Sequence, residues 1–594
     1  MSTHAVARPH LHRAGTRFGG AAVRLAFPAL VVGAGAGVAA VVFRWLIEHA
    51  TWVFSGHADY SATHGNPANQ WVPWLGAGFV VLAPAVGGLL YGPLIQRFAR
   101  EARGHGVPEV MFAVARNGGR IRGSVAVVKA VASAICIGAG GSVGREGPII
   151  QIGSALGSTI GRWMRMPAVR LRTLVACGAA GGISATFNAP VAGVFFALEL
   201  LLRDFTPTSF GAVAIASVTA ALIGRAAFGD TAFLHLPAIG SIAPPEYLLF
   251  ALLGLLAGAI GIGFARVLYL VEDLCDVLWR ATKGPEWLRP VAGGLLLGLL
   301  LLVLPQMYGV GYPVLERGVG GEYAIGFLAV LVIGKVLATS LTLGIGGSGG
   351  VFAPSLFVGA MTGAAFGEVV AMVDPSMRGQ VAAFAVVGMA AVFAGSTRAP
   401  ITAGIMLFEL TGDYALILPV FVAIVIATAV SRALSRDTIY TLKLSRRGVD
   451  LTDSAVEPPR RSGTTAGSSA RQLGDVLTTE ATAAQALEVL EGSGGHPVVV
   501  VGVDGQFAGV VTARSVGDAV LGDVGFASRS VVDVVADVRA VPADFALEAV
   551  VTDVVDATET VGLPVVNGSG RPVGWLGASD ALRALVPDSR TNRA

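Results

Sequence analysis

Gly141-Ser142-Val143-Gly144-Arg145-Glu146-Gly147-Pro148 returns 206 residues later as Gly347-Ser348-Gly349-Gly350-Val351-Phe352-Ala353-Pro354. Both stretches place Gly-Ser-x-Gly ahead of a proline and an apolar run. Proline in the first helical turn forfeits no intrahelical hydrogen bond, and glycines let the preceding loop bring its N–H groups close to a ligand. Each stretch reads as a helix N-terminus, where exposed amides and aligned peptide dipoles favour an anion. Two copies in one chain predict a single site built from two halves.

The surroundings are apolar. Of 594 residues, 54% are hydrophobic and 14% charged, and the mean hydropathy is +0.69, which excludes an ordinary soluble domain and predicts a polytopic membrane protein. Apolar runs lie near 22–48, 71–97, 124–138, 171–186, 190–202, 210–228, 245–272, 288–304, 323–343, 380–394 and 399–434. Several are Gly-broken or shorter than the roughly 20 residues of a perpendicular span, so some helices are expected to stop inside the bilayer. Arg8, Arg13, Arg17 and Arg24 precede the first run, which predicts a cytoplasmic N-terminus, and that run is too long and too poorly flanked for a cleaved signal peptide. The net charge of +3 and pI near 8.8 fit basic cytoplasmic flanks. With no aromatic-interleaved basic patch, nucleic acid is not expected as a partner. Cys136, Cys177 and Cys275 lack metal-ligand spacing and read as small core hydrophobes.

The repeat extends outward. At the same offset Lys129 falls on Lys335, Gly138 on Gly344 and Gly140 on Gly346. After a slip of four residues Gly178 falls on Gly388, Ala189-Pro190 on Ala399-Pro400 and Glu199-Leu200 on Glu409-Leu410. Two homologous halves, about 21–235 and 240–435, are expected. An odd number of crossings per half inverts one relative to the other, brings half-helix N-termini together near the midplane and returns both termini to one side. Gly153, Gly157, Gly359 and Gly363 follow a four-residue spacing and are expected to serve close helix packing. Gly141, Ser142, Gly144, Gly347, Ser348 and Gly350 precede their helices and belong to the loops that present amides.

Gly104-His105-Gly106-Val107-Pro108, Gly144 to Pro148, Gly350 to Pro354, and Tyr440 just beyond the last apolar run together resemble the four ion-pathway motifs of the CLC chloride channel and transporter family. The resemblance spans about residues 20–445. It implies an all-α polytopic membrane domain of two inverted repeats with broken or re-entrant helices, residues 21–445, after a cytoplasmic segment 1–20. It further implies a homodimer in the cell inner membrane, both termini cytoplasmic, with one pathway for small anions per subunit. Transport rather than enzymatic activity, no required cofactor and chloride as the bound ion also follow from it. The implied chloride site draws on His105, Gly106, Val107, Gly144, Arg145, Glu146, Gly147, Gly350, Val351, Phe352, Ala353 and Tyr440. Glu146 takes the gating position, its carboxylate occupying an anion site when charged and swinging away when protonated or displaced.

Glu146 stands out on physical grounds as well, because a carboxylate within the membrane costs about 2.5 kcal/mol or more unless it has a purpose or a partner. The competing readings are a salt bridge with Arg145 and an N-terminal cap. For Phe352 the alternatives are an N–H on the anion and plain core packing. Tyr440 reads either as a phenolic donor to the anion or as an interfacial tyrosine.

Two positions depart from the family pattern. His105 stands where many relatives have serine, and three readings compete: a ring N–H on the anion, backbone coordination by Gly106 and Val107 with the ring nearby, or a pH sensor. Backbone coordination is preferred. Leu200 stands where proton-coupled members carry the second of two glutamates, the internal proton relay. An aliphatic side chain carries no proton, which favours a passive voltage- or pH-sensitive chloride channel. The alternative is a chloride/proton exchanger with a non-standard path through water, Glu199 or His105. Glu199 and its repeat mate Glu409 read as structural acids satisfied by backbone or an ion pair. A divalent-cation transporter is the more remote reading, since hard cations want clustered carboxylate or carbonyl oxygens. No His-Glu-x-x-His suggests a metalloprotease.

Composition changes near residue 445. A linker over 446–470, with Pro458-Pro459-Arg460-Arg461 and a Ser/Thr/Gly tract at 462–469, is expected to be flexible or extended. Beyond it His496-Pro497-Val498-Val499-Val500, a turn at Asp504-Gly505 and Gly509-Val510-Val511-Thr512 recur as Leu563 to Val566, Gly568-Ser569-Gly570 and Gly574 to Gly577. This pattern resembles a small α/β tandem CBS pair, 471–530 and 531–588. The family's ribose signature is split: Thr512 is followed by Ser515 in the acidic place, and Asp580 is preceded by Gly577 in the hydroxyl place. Thr512 and Asp580 are the candidates for an adenine nucleotide. The competing reading is a pair that only dimerises and braces the cytoplasmic face.

Overall fold

The apolar runs fold into helices whose order repeats. In a computed structural model describing residues 15–63, 67–229, 242–449, 464–520, 528–536, 538–545, 547–557 and 560–585, the chain divides into two units, Met1–Leu451 and Thr452–Ala594. Arg8, Arg13 and the Pro458 to Arg461 run lie outside the described residues. The first half of unit one contains α1 (Gly15–Ser55), α2 (Phe79–Phe98), α3 (Val107–Arg116), α4 (Ser124–Gly138), α5 (Glu146–Trp163), α6 (Ala168–Phe187), α7 (Pro190–Phe196) and α8 (Pro207–Phe228). The second contains α9 (Tyr247–Thr282), α10 (Arg289–Val303), α11 (Tyr312–Val319), α12 (Ile325–Gly344), α13 (Phe352–Val373), α14 (Val381–Thr397), α15 (Pro400–Thr411) and α16 (Ile417–Leu434), followed by the short α17 (Thr441–Ser445).

Packing repeats with the order. α1 packs on α8 as α9 packs on α16, α5 on α6 as α13 on α14, and α4 on α5 as α12 on α13, while α2 meets α10 and α7 meets α15 across the halves. Nine helical segments among the described residues are long and apolar enough to cross a bilayer. Others are not: α3 has 10 residues, α11 has 8, and α7 has 7 before a π-helical turn over Ala197–Leu202. Broken helices at equivalent places in both halves are what the repeated motifs predict. Large apolar side chains such as Trp163, Leu222, Val303 and Val373 are exposed, whereas His105, Lys129, Glu146 and Lys335 are buried. That distribution suits a chain whose outer solvent is hydrocarbon.

The four spaced glycines do serve packing. α5 and α6 approach so closely that a Cβ on Gly153 would overlap the Gly178 carbonyl and one on Gly178 the Gly153 carbonyl, and Gly359 stands in the same relation to Gly388. Gly157 faces the Leu174 carbonyl and Gly363 the Phe384 carbonyl. Such backbone proximity replaces the hydrophobic drive that lipid cannot supply. Cys136 and Cys177 are buried free thiols, and Cys275 is half-buried and free.

Glu199 and Glu409 bind the halves to each other. The Glu199 carboxylate accepts from the N–H of Ile401 at 3.2 Å and of Thr402 at 2.8 Å, at the start of α15. Glu409 accepts from Val191 N–H at 2.9 Å and Ala192 N–H at 2.7 Å, at the start of α7. Each acid caps the other half's helix, where orphan amides and the dipole favour a carboxylate. The expected structural role is met by backbone amides.

The C-terminal unit contains α18 (Ala466–Ser469), β1 (Val476–Thr478), α19 (Ala483–Gly492), β2 (Val498–Val501), β3 (Phe507–Val511), α20 (Ala513–Val520), β4 (Val541–Pro542), α21 (Leu547–Asp556), β5 (Gly562–Val566), β6 (Pro572–Gly577) and α22 (Ala578–Leu585). Its two sheets run β1-β2-β3 and β4-β5-β6, each with one parallel and one antiparallel pair. The duplication expected from the strand pattern is present, and a segment from beside each half packs into the other's core. Residues 464–469, expected to be extended, form a turn capped by Thr465, and Ala466 is buried with Val541, Leu547 and Val565 in the second half's core. Arg471 bridges to Trp575 on β6. Conversely, Val531 and Val534 pack into the first half's core. A cap and one buried alanine fix 464–469, features that a Ser/Thr/Gly composition conceals.

Gly178→Ala should therefore overpack α5 against α6, typically about 1–3 kcal/mol, and lower the melting temperature and monodisperse yield in detergent. Gly263→Ala, whose Cβ meets nothing within 4 Å, should behave as wild type in the same assay.

Candidate functional site

Backbone hydrogen bonds between loops draw the motifs together. Gly144 N–H donates to the Gly350 carbonyl at 2.8 Å and Gly350 N–H donates back to Gly144 at 2.6 Å. Gly104 N–H donates to the Gly347 carbonyl at 3.0 Å, and Gly349 N–H to the Gly104 carbonyl at 3.3 Å. Only glycine fits some of these positions. A Cβ on Gly147 would overlap the His105 carbonyl and crowd Gly350 Cα, and Gly106 has a φ of 81° with Gly147 and Gln151 against it. α3, α5 and α13 consequently begin beside one another.

Two buried lysines secure these loops. Lys129 Nζ donates to the carbonyls of Ala102 at 2.9 Å and Gly104 at 2.6 Å. Lys335 Nζ donates to Ser142 Oγ at 3.0 Å and to the carbonyls of Gly309 at 3.3 Å and Val310 at 2.9 Å. Neither ammonium has a carboxylate within ion-pair distance among the described residues.

Lys335 leads to a motif missed above. Gly309-Val310-Gly311-Tyr312-Pro313 copies Gly104-His105-Gly106-Val107-Pro108 at an offset of 205 residues, and Gly311 opens α11 with a φ of 89° as Gly106 opens α3 with 81°. The Gly-x-Gly-x-Pro spacing was the available signal. Tyr312 is thus the repeat mate of Val107, as Phe352 is of Glu146.

Glu146 is fully buried. Its Oε1 accepts the Tyr312 hydroxyl, and its Oε2 accepts Ala353 N–H at 3.3 Å, so the carboxylate lies at the start of α13. Arg145 forms no ion pair with it among the described residues; the guanidinium instead lies over the Tyr312 ring, 5.1 Å from its centroid. The Phe352 ring packs against Phe393 at 4.4 Å, Phe187 at 5.7 Å and Phe196 at 6.4 Å between centroids. Core packing of the ring and presentation of the main-chain amide at the helix start coexist.

His105 and Tyr440 have ring centroids 6.4 Å apart. Both His105 ring nitrogens and the Tyr440 hydroxyl are buried without a hydrogen-bond partner among the described residues. Leaving such groups unsatisfied costs about 1–3 kcal/mol each, which makes the cluster a place for a ligand. Tyr269 lies 6.2 Å from His105 between ring centroids and donates its hydroxyl to the Ile439 carbonyl at 2.7 Å, fixing the chain just before Tyr440.

Some amides of the motif loops bond within the scaffold. The N–H groups of Gly144 and Gly350 are spent on each other, and Val107 N–H donates to the His105 carbonyl at 3.0 Å. Arg145, Glu146, Gly147, Val351 and Phe352 remain at or beside the starts of α5 and α13, with Gly106 at the start of α3. Leu200 is buried in the π-helical turn. In the C-terminal unit, Thr512 Oγ1 accepts Ser515 N–H at 3.0 Å, and Asp580 pairs with Arg471 at 2.7 Å. Both nucleotide candidates already have local partners.

A cavity of about 480 Å³ reaches Arg145, Phe187 and Tyr312, and carries Arg44, Glu48 and Asp59 on its wall. Another of about 260 Å³ reaches Tyr269 and Lys443, with Arg100, Arg103, Arg446 and Arg447 alongside Glu109, Glu272, Asp273 and Asp276 on its wall. Lys443 pairs with Glu272 at 3.1 Å and Arg447 with Glu109 at 2.7 Å, tying α17 to α9 and α3. No group of three His, Cys, Asp or Glu suited to a metal occurs among the described residues. The donors at hand are N–H, O–H and ammonium groups, a set for an anion.

Residues 87–432 match the family described as voltage gated chloride channel. A protein named as a ClcB-like chloride channel of Ralstonia nicotianae is 33% identical over 424 residues, covering 71% of this chain and 96% of the relative. A protein named H(+)/Cl(-) exchange transporter ClcA, of Vibrio campbellii, is 35% identical over 356 residues, covering 59% of this chain and 76% of the relative. The structure of a slow cyanobacterial Cl-/H+ antiporter aligns with a TM-score of 0.63 at 27% identity over 72% of this chain and 99% of its own. That of a eukaryotic CLC transporter aligns with a TM-score of 0.59 at 20% identity, covering 94% of this chain and 98% of its own. The latter is a likeness of fold, and its coverage reaches well into Thr452–Ala594.

Proposed function

The chain belongs to the CLC family, whose members transport anions across membranes, and from that premise we propose a chloride pathway running past His105, Tyr440, Phe352 and Glu146. The observation that carries this reading is the set of buried, unpartnered polar groups on His105 and Tyr440 beside the starts of α3, α5 and α13. One helix terminus is worth about 0.3–2 kcal/mol to an anion, less than the several kcal/mol of desolvation, so convergence of termini is an energetic requirement. Hydroxyl and ring N–H donors add stronger, short-range interactions.

Glu146 acts as a tethered competitor. Its carboxylate on Ala353 N–H occupies ground that a diffusible anion would take, and protonation or displacement by chloride releases it. Leu200 leaves no titratable group at the family's inner relay position, so the favoured reading is a passive chloride channel. The second reading, chloride/proton exchange, is supported by relatives named as exchange transporters, and would route protons through water, Glu199 or His105. The account includes a homodimer with one pathway per subunit and an inner-membrane location with cytoplasmic termini. The C-terminal unit is read as a CBS-type pair. A nucleotide there would have to displace Arg471 from Asp580.

Reconstitution tests this. With a chloride gradient and a pH record, chloride flux should proceed without uphill proton movement; stoichiometric proton pumping would select the exchanger, and chloride impermeability would overturn the pathway. Tyr440→Phe removes a donor to an anion, a bond worth about 1.5–3 kcal/mol. Chloride binding by calorimetry should weaken at least about tenfold, and unchanged affinity would remove Tyr440 from the site.

A further inference from the structure

The two halves share a Gly-x-Gly-x-Pro helix start but not its side chains. In the first half the residue after the second glycine is Val107, and in the second it is Tyr312. The hydroxyl of Tyr312 reaches Glu146 Oε1 in the opposite half, while the other carboxylate oxygen sits on Ala353 N–H at 3.3 Å. Tyr312 is itself constrained: Gly311, with φ of 89°, opens α11, Lys335 grips the Gly309 and Val310 carbonyls just before it, and Arg145 covers its ring at 5.1 Å. Tyr312 and Arg145 line the 480 Å³ cavity; Glu146 is not among the residues on its wall.

We propose that Tyr312 is the latch of the gate, a positioning residue that holds the Glu146 carboxylate in its occluding place. This rests on the reading of Glu146 as a competitor of chloride. For the carboxylate to leave Ala353, it must give up the Tyr312 hydroxyl, so the strength of that bond sets how readily chloride displaces the gate. The hydroxyl is a specific device of this chain's second half. Its repeat mate Val107 has no polar atom in its side chain with which to do the same. Tyrosine consequently appears at both ends of the cluster: Tyr440 beside His105, and Tyr312 on Glu146.

Tyr312→Phe keeps the aromatic ring and removes the hydroxyl that donates to Glu146. In proteoliposomes the chloride concentration giving half-maximal flux should fall about tenfold, equivalent to about 1.4 kcal/mol, with the maximal flux little changed. In a Glu146→Ala background the same substitution should have no effect. An unchanged or raised half-maximal concentration in the single variant would overturn the latch, and so would an equal shift in both backgrounds, which is the mark of a merely structural residue. Glu146→Ala without effect on flux or on its chloride dependence would instead overturn the gate reading on which the latch depends.

Discussion

The exchange of two amide hydrogen bonds between Gly144 and Gly350 is the contact on which the rest depends. It joins the loop of one half to that of the other with main chain alone, and so sets where both α5 and α13 begin. Glycine is required because the next layer of contact is also backbone: Gly147 lies against the His105 carbonyl and Gly350 Cα. The cost is that these amides serve the scaffold. In the proposed pathway, anion contacts fall to the helix starts immediately beyond and to side chains delivered by other segments.

A duplicated backbone with unduplicated side chains gives the site its polarity. Lys129 and Lys335 do the same work in each half, holding glycine-loop carbonyls, and Glu199 and Glu409 cap each other's helices. At three other positions the copies differ: Glu146 faces Phe352 in the alignment, Val107 faces Tyr312 and His105 faces Val310, whereas Leu200 and Leu410 agree, with no acid in either. Symmetric elements build the pocket. The asymmetric ones place a carboxylate and its donor at one end and a histidine with a phenol at the other.

Much of this was legible in the sequence because glycine and proline carry positional meaning. The Gly-Ser-x-Gly starts, the four-residue glycine spacing in α5 and α13, and the glutamates at 199 and 409 each announced a backbone constraint, and each constraint is present. Tyr312 was not legible because its motif keeps only Gly-x-Gly-x-Pro and the tyrosine differs from its copy, Val107. Which amides would be consumed by the scaffold was not readable either, since donor availability depends on how loops distant in sequence pair. In the C-terminal unit, strand alternation gave the two sheets, whereas the packing of Ala466 and Val534 into their respective cores depended on tertiary contacts that composition does not encode.

The central claim is that the starts of α5 and α13 hold an anion for which the Glu146 carboxylate substitutes. Anomalous diffraction from bromide-soaked crystals of the wild type and of Glu146→Ala measures this directly. The account predicts bromide beside Tyr440 and the start of α13 in both proteins, and a further peak at the former carboxylate position, near Ala353 N–H, in Glu146→Ala alone. Absence of bromide from the neighbourhood of Tyr440 and Ala353 in both would contradict it.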